Sequence, residues 1–259
     1  MKKNIKVKVG DINKNSIGSV MKVIKINSYQ DILVEFIEYN YITKTTCQCF
    51  EKGLVKCPYE PRVYSVGFLG EGKYNSTDEN NKNTKCSNMW RHMLQRCYSE
   101  KYKSKHPTYK DCSVCEEWHN FQNFAKWYEE NYYEVGNEEM HLDKDILTKN
   151  NKIYSPSTCV FVPQKINVLF TKANKSRGIY PIGITYDKDR NKYSVSCGVI
   201  INGMHKQKKI GRYDNIEKAF QCYKDFKENY IKQVADEYKP YIPRELYDAM
   251  YRYKVEITD

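Results

Sequence analysis

Short apolar runs separated by polar turns characterise the first 62 residues. The runs fall at residues 20–26, 31–36 (DILVEF) and 47–55. Runs of this length, bounded by turn-forming residues, are typical of strands. The pattern predicts an N-terminal β-rich unit over residues 1–62, either a small twisted sheet or a small barrel. We expect it to be an accessory unit, with DNA binding and a plain structural role equally open.

The pattern changes after this unit. Residues 67–85 read GFLGEGKYNSTDENNKNTK, rich in Gly, Asn and charge, and predict a linker over residues 63–85. Helical spacing of large apolar residues then begins. Met89, Trp90, Met93 and Cys97 recur at three and four residues, and aromatic residues do the same from Trp118 onward. This spacing predicts helices that bury one face.

Residues 141–167 (HLDKDILTKNNKIYSPSTCVFVPQKIN) change pattern again. A strand at Leu142–Ile146, an Asn-rich turn, a strand at Thr158–Val162 and a helix opened by Pro163 are predicted. Asp143 near the first strand and Asn167 on the helix could then converge on one cation. Carboxylate and amide oxygens favour Mg²⁺ or Mn²⁺. The alternative is a hairpin and helix with no metal.

This stretch resembles the ββα-metal core of HNH endonucleases, in particular the phage homing-endonuclease branch. The similarity covers roughly residues 86–170, because the upstream Trp, Cys and Phe spacings agree as well. It implies that Asp143 is the metal carboxylate, that Asn167 is the helix ligand, and that Asn150 or Asn151 braces the loop.

One position departs from that family, because Lys144 occupies the place of the general-base His. A lysine accepts a proton near neutral pH only if its pKa is strongly lowered, whereas histidine needs little change. Asp145 is a candidate second metal ligand or activating group, since alternation would place it on the strand face of Asp143. His141 is a candidate base if the register shifts. The catalytic candidates are therefore Lys144, Asp145 and His141.

Residues 176–235 predict three short strands and a helix. The strands are expected at 183–186, 192–200 and 206–211, with turns at 187–191 and at Asn202-Gly203, and the helix at 216–234. The segments PIGITYD, KYSVSC, KKIGRYD and IEKAFQCY resemble the APETALA-type DNA-binding domain, although the usual Trp residues of its sheet are absent. The resemblance implies that the exposed sheet face contacts duplex DNA. The residues best placed for this are Tyr186, Arg190, Lys192, Tyr193, Lys208 and Arg212.

Charge supports a polyanionic partner. The chain has 43 Lys and Arg against 32 Asp and Glu, a formal net charge of +11. Ten basic and two acidic residues lie between Lys172 and Arg212, whereas eight acidic residues and one Lys lie between Asp111 and Met140. The positive charge favours nucleic acid first and an acidic membrane surface second. With the APETALA-type resemblance of this stretch, we expect double-stranded DNA as the partner and no membrane. The acidic stretch, 111–140, predicts a possible protein partner.

Cysteine content and hydropathy limit the remaining possibilities. Cys112 and Cys115 have the spacing of one zinc-ligand pair, but no second pair accompanies them, so we expect buried thiols rather than a structural Zn²⁺. No signal peptide or membrane-spanning run is evident, which predicts a soluble, cytoplasmic chain. The resemblance to phage endonucleases implies a phage protein that acts in its bacterial host. Residues 236–259 are predicted to form a tail with a short helix at 243–251 and a final strand. The sequence leaves the oligomeric state open.

Together these patterns predict an α+β protein with an N-terminal β-rich unit, an HNH-like core with its preceding helices over residues 86–172, and a C-terminal sheet with a helix. The favoured function is a DNA endonuclease that hydrolyses duplex DNA with one Mg²⁺ or Mn²⁺. The alternative is a DNA-binding protein with a retired nuclease core, acting as a regulator or as an inhibitor of a host nucleic-acid-targeting system.

Overall fold

The fold is α+β, as the sequence predicts. The computed structural model describes residues 6–171, 179–201 and 204–259, so the Asn202-Gly203 turn and the predicted boundaries at 172 and 176 lie outside the described residues. The chain divides into two compact units, Met1–Glu129 and Glu130–Asp259. Each unit is described separately.

An antiparallel sheet opens the first unit. Its strands follow in chain order: β1 (Ile12–Lys14), β2 (Val20–Ser28), β3 (Asp31–Phe36) and β4 (Tyr41–Thr45). Alternate residues of β2 and β3 are fully buried and form its core, whose members include Met21, Val23, Ile32, Val34 and Phe36.

The run at 47–55, predicted as β-rich, is instead helical at its start. Helix α1 (Cys47–Glu51) begins where the Thr46 side chain accepts a hydrogen bond from the backbone N–H of Cys49. A threonine in this position satisfies an otherwise unpaired amide and favours a helix start. The cap therefore decides the local structure against the β-like composition.

Helices follow in the first unit, as predicted: α2 (Lys85–Tyr98), α3 (Glu100–Lys105) and α4 (Phe121–Asn131), with the short strand β5 (Ser113–Val114) between α3 and α4. Trp90 is fully buried, and its indole N–H donates to the carbonyl of Trp118 at 2.7 Å.

The predicted linker is folded against α4. The Gln122 side chain accepts from the backbone N–H of Tyr74 and donates to the carbonyls of Leu69 and Tyr74. Glu129 accepts from Lys73 at 3.0 Å and from the Tyr74 hydroxyl at 2.6 Å. Five side-chain hydrogen bonds thus hold a segment whose composition alone predicts mobility.

Two small sheets lie in the described part of the second unit. Strand β6 (Met140–Asp143) pairs antiparallel with β8 (Val160–Pro163), β7 (Ile153–Tyr154) lies between them in sequence, and α5 (Gln164–Leu169) follows. The three-stranded sheet has the order β11–β10–β9, from β9 (Ile184–Asp187), β10 (Lys192–Ile201) and β11 (Met204–Tyr213).

Helix α6 (Ile216–Tyr238) connects these parts because it packs on both. Its first half buries Ala219 and Tyr223 against the three-stranded sheet. Its second half buries Ile231 and Val234 in the core that includes β8 and α5. Helix α7 (Arg244–Arg252) adds Leu246 and Met250 to that second core.

The tail is therefore part of this core. Its predicted final strand is wrong, because residues 253–259 form no strand and are held by side chains instead. Lys149 Nζ lies 2.9 Å from the Asp259 carboxylate and 2.9 Å from the carbonyl of Lys254.

The boundary between the two compact units falls inside the segment predicted as the HNH-like core, residues 86–172. The helices of residues 86–133 lie largely in the first unit, whereas β6, β8 and α5 lie in the second with the three-stranded sheet. The division of the chain into five segments stays a prediction.

Candidate functional site

The β6–β8 pair and α5 form a ββα arrangement at residues 140–169. His141 pairs with Val162 and Asp143 pairs with Val160 across the two strands. Directly paired residues share a sheet face. Val160 and Val162 lie in one core with Ile166 and Leu169 of α5, so His141 and Asp143 emerge on the face that α5 covers. Asn167, half-buried, is on the same helix.

Asp143 ends β6 and supports the turn after it. Its Oδ1 accepts the backbone N–H groups of Asp145 at 2.9 Å and of Ile146 at 2.8 Å. Burial and the nearby charge of Asp145 raise the pKa of Asp143 to about 6. Two carboxylates this close repel each other, and a divalent cation is one way to relieve that repulsion.

The Lys144 side chain is buried and paired, whereas a catalytic base has to be open to the water that it activates. Its residue is 7% exposed, and its Nζ lies 3.2 Å from Asp145 Oδ2 and 5.7 Å from the ring centroid of Tyr154. Asp145 itself is exposed and lies beyond the end of β6. The expectation that Asp145 shares a strand face with Asp143 is wrong, because the strand ends at Asp143.

Asn151 braces the loop between the strands. Its amide nitrogen donates to the carbonyls of Lys144 and Ile153, both at 2.7 Å, and its Oδ1 accepts from the N–H of Ile153 at 3.3 Å. Of the two candidates for this role, the structure places Asn151 there. Asn150 has a positive φ of 66° and supplies the turn.

His141 carries an unsatisfied atom. Its Nε2 is buried and has no hydrogen-bond partner among the residues that the structure describes. Buried polar atoms are normally paired, so an unpaired one points to a missing partner or a functional role. This atom lies on the strand face that also carries Asp143.

The donors present suit a divalent cation, although the cluster is small. Among the described residues, no three His, Cys, Asp or Glu side chains gather so that they could hold a metal ion. A site here would rest on Asp143, with Asp145, His141 and the Asn167 amide as further donors. Such a set is rich in oxygen, which suits Mg²⁺ or Mn²⁺.

The three-stranded sheet has a helix face and an outer face. Val195 and Cys197 of β10 are buried against α6. Tyr193 has the same parity, and its ring centroid lies 5.1 Å from that of Tyr186, its partner on β9. The expectation that Tyr186 and Tyr193 lie on the outer face is therefore wrong, because strand alternation turns both toward the helix side.

Lys208 lies on the helix side as well, contrary to expectation. It pairs with Cys197, and its Nζ is 5.1 Å from the ring centroid of Phe226 on α6. A register shift after Val195 leaves Ile210 without a directly opposite partner. Such a bulge reverses the faces of residues on either side of it, so Lys208 and Arg212 point to opposite faces.

The outer face is polar and basic. Lys192 and Arg212 lie on it as predicted, and Arg190 is exposed in the adjoining turn. The other side chains on the outer face were not predicted from the sequence. Strict alternation along β10 from the buried Val195 and Cys197, with a correction for the bulge in β11, would have identified them. These are Thr185, Ser194, Ser196, His205, Gln207 and Lys209.

Some of this basic charge is internally paired. Arg190 lies 3.0 Å and Arg212 3.8 Å from Asp187, and the Arg190 hydrogen bond lowers the pKa of that carboxyl. Lys192 lies 3.3 Å from Asp214. Lys209 forms no ion pair with any residue that the structure describes, so its charge remains available to a polyanion.

In the described part of the chain, the cysteine pair has no third His, Cys, Asp or Glu side chain grouped with it that could complete a metal site. Cys112 is buried and its thiol donates to the carbonyl of Thr108 at 3.8 Å. Burial raises the pKa of Cys115, which disfavours the thiolate that zinc requires. His119 instead contacts the Tyr98 hydroxyl at 3.3 Å.

Comparison with known proteins supplies no family. No family model, curated protein or solved structure matches this chain. Within residues 6–171, 179–201 and 204–259, no helix has both the length and the hydropathy needed to cross a membrane.

Proposed function

We propose that this protein is a divalent-metal-dependent endonuclease that binds duplex DNA through the outer face of its three-stranded sheet. The observation that carries the proposal is the ββα arrangement, in which Asp143 and the unpaired Nε2 of His141 share the face covered by α5. The resemblance to the HNH core gives these positions a chemical role.

Within this proposal, the chain's own residues divide the work. Asp143, with Asn167 and Asp145, would hold Mg²⁺ or Mn²⁺, which polarises a phosphate and stabilises the leaving 3′-oxygen. His141 is the group best suited to accept a proton from the attacking water, because its Nε2 has no hydrogen-bond partner among the described residues and lies on the face that carries Asp143. Lys144 is less suited, since its ammonium is paired with Asp145.

DNA binding is assigned to the outer face of the sheet. Lys209, Arg212 and Lys192 would neutralise phosphates, while Ser194, Ser196 and Gln207 offer hydrogen bonds to base edges. The acidic stretch at 111–140 supports a protein partner less strongly than its charge suggests, because Glu129 is bonded to Lys73 and Tyr74.

A second function, a DNA-binding protein without cleavage, is favoured by the ion pair of Lys144. An ammonium held by a neighbouring carboxylate is not a base, and the chain lacks the usual His at this position. Such a protein would act as a regulator or as an inhibitor of a host nucleic-acid-targeting system.

Incubation of the protein with supercoiled plasmid and Mg²⁺ or Mn²⁺ separates the two functions. Nicking that is lost in Asp143→Ala, with duplex binding retained, supports the endonuclease. Binding without nicking under any of these conditions supports the second function. Absence of duplex binding contradicts both.

A further inference from the structure

A cavity of about 390 Å³ lies in the second unit, between the three-stranded sheet, the end of α5 and the middle of α6. Apolar residues, such as Val168 and Ile182, line it together with Lys227 of α6, and it reaches Thr185, Ser196 and His205 of the outer face around the open edge of β10. This volume is within the range that small-molecule ligands occupy. The cavity is separate from the face that carries Asp143.

Lys227 gives this cavity its chemical character. It lines the cavity from α6, and it makes no hydrogen bond or ion pair with any residue that the structure describes. Removal of the ammonium from water lowers the pKa of Lys227. An ammonium that is taken from water without a partner destabilises the fold, unless an anion joins it.

The sheet presents further donors to the same space. Strand β9 pairs with β10 only as far as Val195, so the remaining edge of β10 is open toward the cavity. The N–H groups of Ser196 and Ile200 point to this edge, since they donate to Gly183 and to the Tyr230 hydroxyl. Alternation directs the N–H of Gly198 the same way.

We propose that this cavity binds a small organic phosphate, with its phosphate group on Lys227 and its organic part against Val168 and Ile182. A phosphate has more acceptor oxygens than a carboxylate and matches the two donors at the open edge of β10, the Lys227 ammonium and the Gly198 amide. The proposal does not depend on DNA cleavage.

Calorimetric titration of the full chain with deoxythymidine 5′-monophosphate, thymidine and inorganic phosphate tests it. The nucleotide is expected to bind, inorganic phosphate to bind more weakly, and thymidine not to bind measurably. Equal binding of thymidine and the nucleotide, or no binding of either phosphate, overturns the proposal. A 5′-phosphorylated tetranucleotide then distinguishes the source: tighter binding than the mononucleotide assigns the site to a strand end, and equal binding to a free nucleotide.

Variants locate the site. Lys227→Met is expected to weaken nucleotide binding about tenfold or more, because it removes a charge-assisted hydrogen bond. It should also raise the melting temperature of the free protein by removing an unpaired charge. Lys218→Met, exposed on the same helix, is the matched control. Unchanged nucleotide binding in Lys227→Met overturns the proposal.

Discussion

Asn151 holds the chain at Lys144, since its amide nitrogen donates to the Lys144 carbonyl at 2.7 Å across the loop between β6 and β8. The two residues are seven positions apart, and this bond fixes the backbone directly after Asp143. The geometry of the candidate metal ligand therefore depends on a side chain that would not itself touch a metal.

Loss of this brace is the first prediction. Asn151→Ala removes two donated hydrogen bonds and one accepted one, so we expect the free energy of unfolding to fall by about 1–3 kcal/mol. Urea denaturation measures this change, with Asn229→Ala, exposed on α6, as the control. A loss of unfolding free energy no larger than that of the control would show that water replaces the hydrogen bonds of the Asn151 side chain.

Asp143 provides a prediction about pH. Its pKa is raised on folding from 3.8 to about 6, so its protonated form stabilises the folded state. That contribution is fully present below pH 4 and is lost as the pH rises through 6. Asp143→Asn keeps the oxygen that accepts the two backbone amides and removes the charge. At pH 7 it should therefore be more stable than the parent by on the order of 1–2 kcal/mol.

Thermal melts between pH 4 and pH 8 check this sign, with the exposed Asp189→Asn as the control. The gain should vanish near pH 4. Addition of Mn²⁺ should raise the melting temperature of the parent but not that of Asp143→Asn. An equal rise in the melting temperature of both proteins on addition of Mn²⁺ would show that the metal does not bind at Asp143.

The two faces of the three-stranded sheet should differ in DNA binding. Lys192, Lys209 and Arg212 lie on the outer face, and their triple replacement by Ala is expected to weaken duplex binding. The dependence of log affinity on log salt should become shallower by roughly 2–3, at about 0.9 for each phosphate that the variant no longer neutralises. Fluorescence anisotropy of a labelled duplex measures the affinity. The matched control is the double replacement of Lys206 and Lys208 by Ala, because both residues lie on the helix side. Equal losses in both variants would contradict the assignment of faces.

Lys144→His tests the chemistry of the core. An imidazole at this position titrates near neutral pH, and it no longer pairs with Asp145 as the ammonium does. We expect plasmid nicking at pH 7 with Mn²⁺ to rise about tenfold or more over the parent. Lys126→His, exposed on α4, controls for an added histidine. If neither the parent nor Lys144→His nicks DNA, and neither binds Mn²⁺ in calorimetry, the endonuclease proposal fails.

Local patterns predicted the elements around the site well. Strands β6, β8, β9, β10 and β11 and the start of α5 all fall within two residues of their expected positions, apart from the later end expected for β6. Turn residues and the alternation of apolar and polar residues are local signals, so a single sequence is enough to predict strands from them. The helix at 47–51 was missed because the Thr46 cap outweighs the composition of five residues.

Side-chain direction was less predictable. Tyr186 and Tyr193 share the parity of buried residues, but a large aromatic residue in a basic sheet suggests a binding role. Lys208 and Arg212 have equal parity, and only the bulge at Ile210 separates their faces. A bulge depends on pairing between strands, which one strand's sequence does not specify. The ion pair of Lys144 with Asp145 likewise follows from where β6 ends.

The shared helix α6 has a consequence for how this protein could change over generations. Its two halves complete two different hydrophobic cores, one under the basic sheet and one beside the ββα arrangement. A recombination event that replaced residues up to 235 with those of another protein would place Ala235 and Tyr238 in segments of different origin. Ala235, Tyr238 and residues of α7 pack in the same core, so that core would be disrupted. We therefore expect the two surfaces to be inherited as one block, so that a new DNA preference arises through substitutions on the outer face rather than through the transplant of a ready-made module.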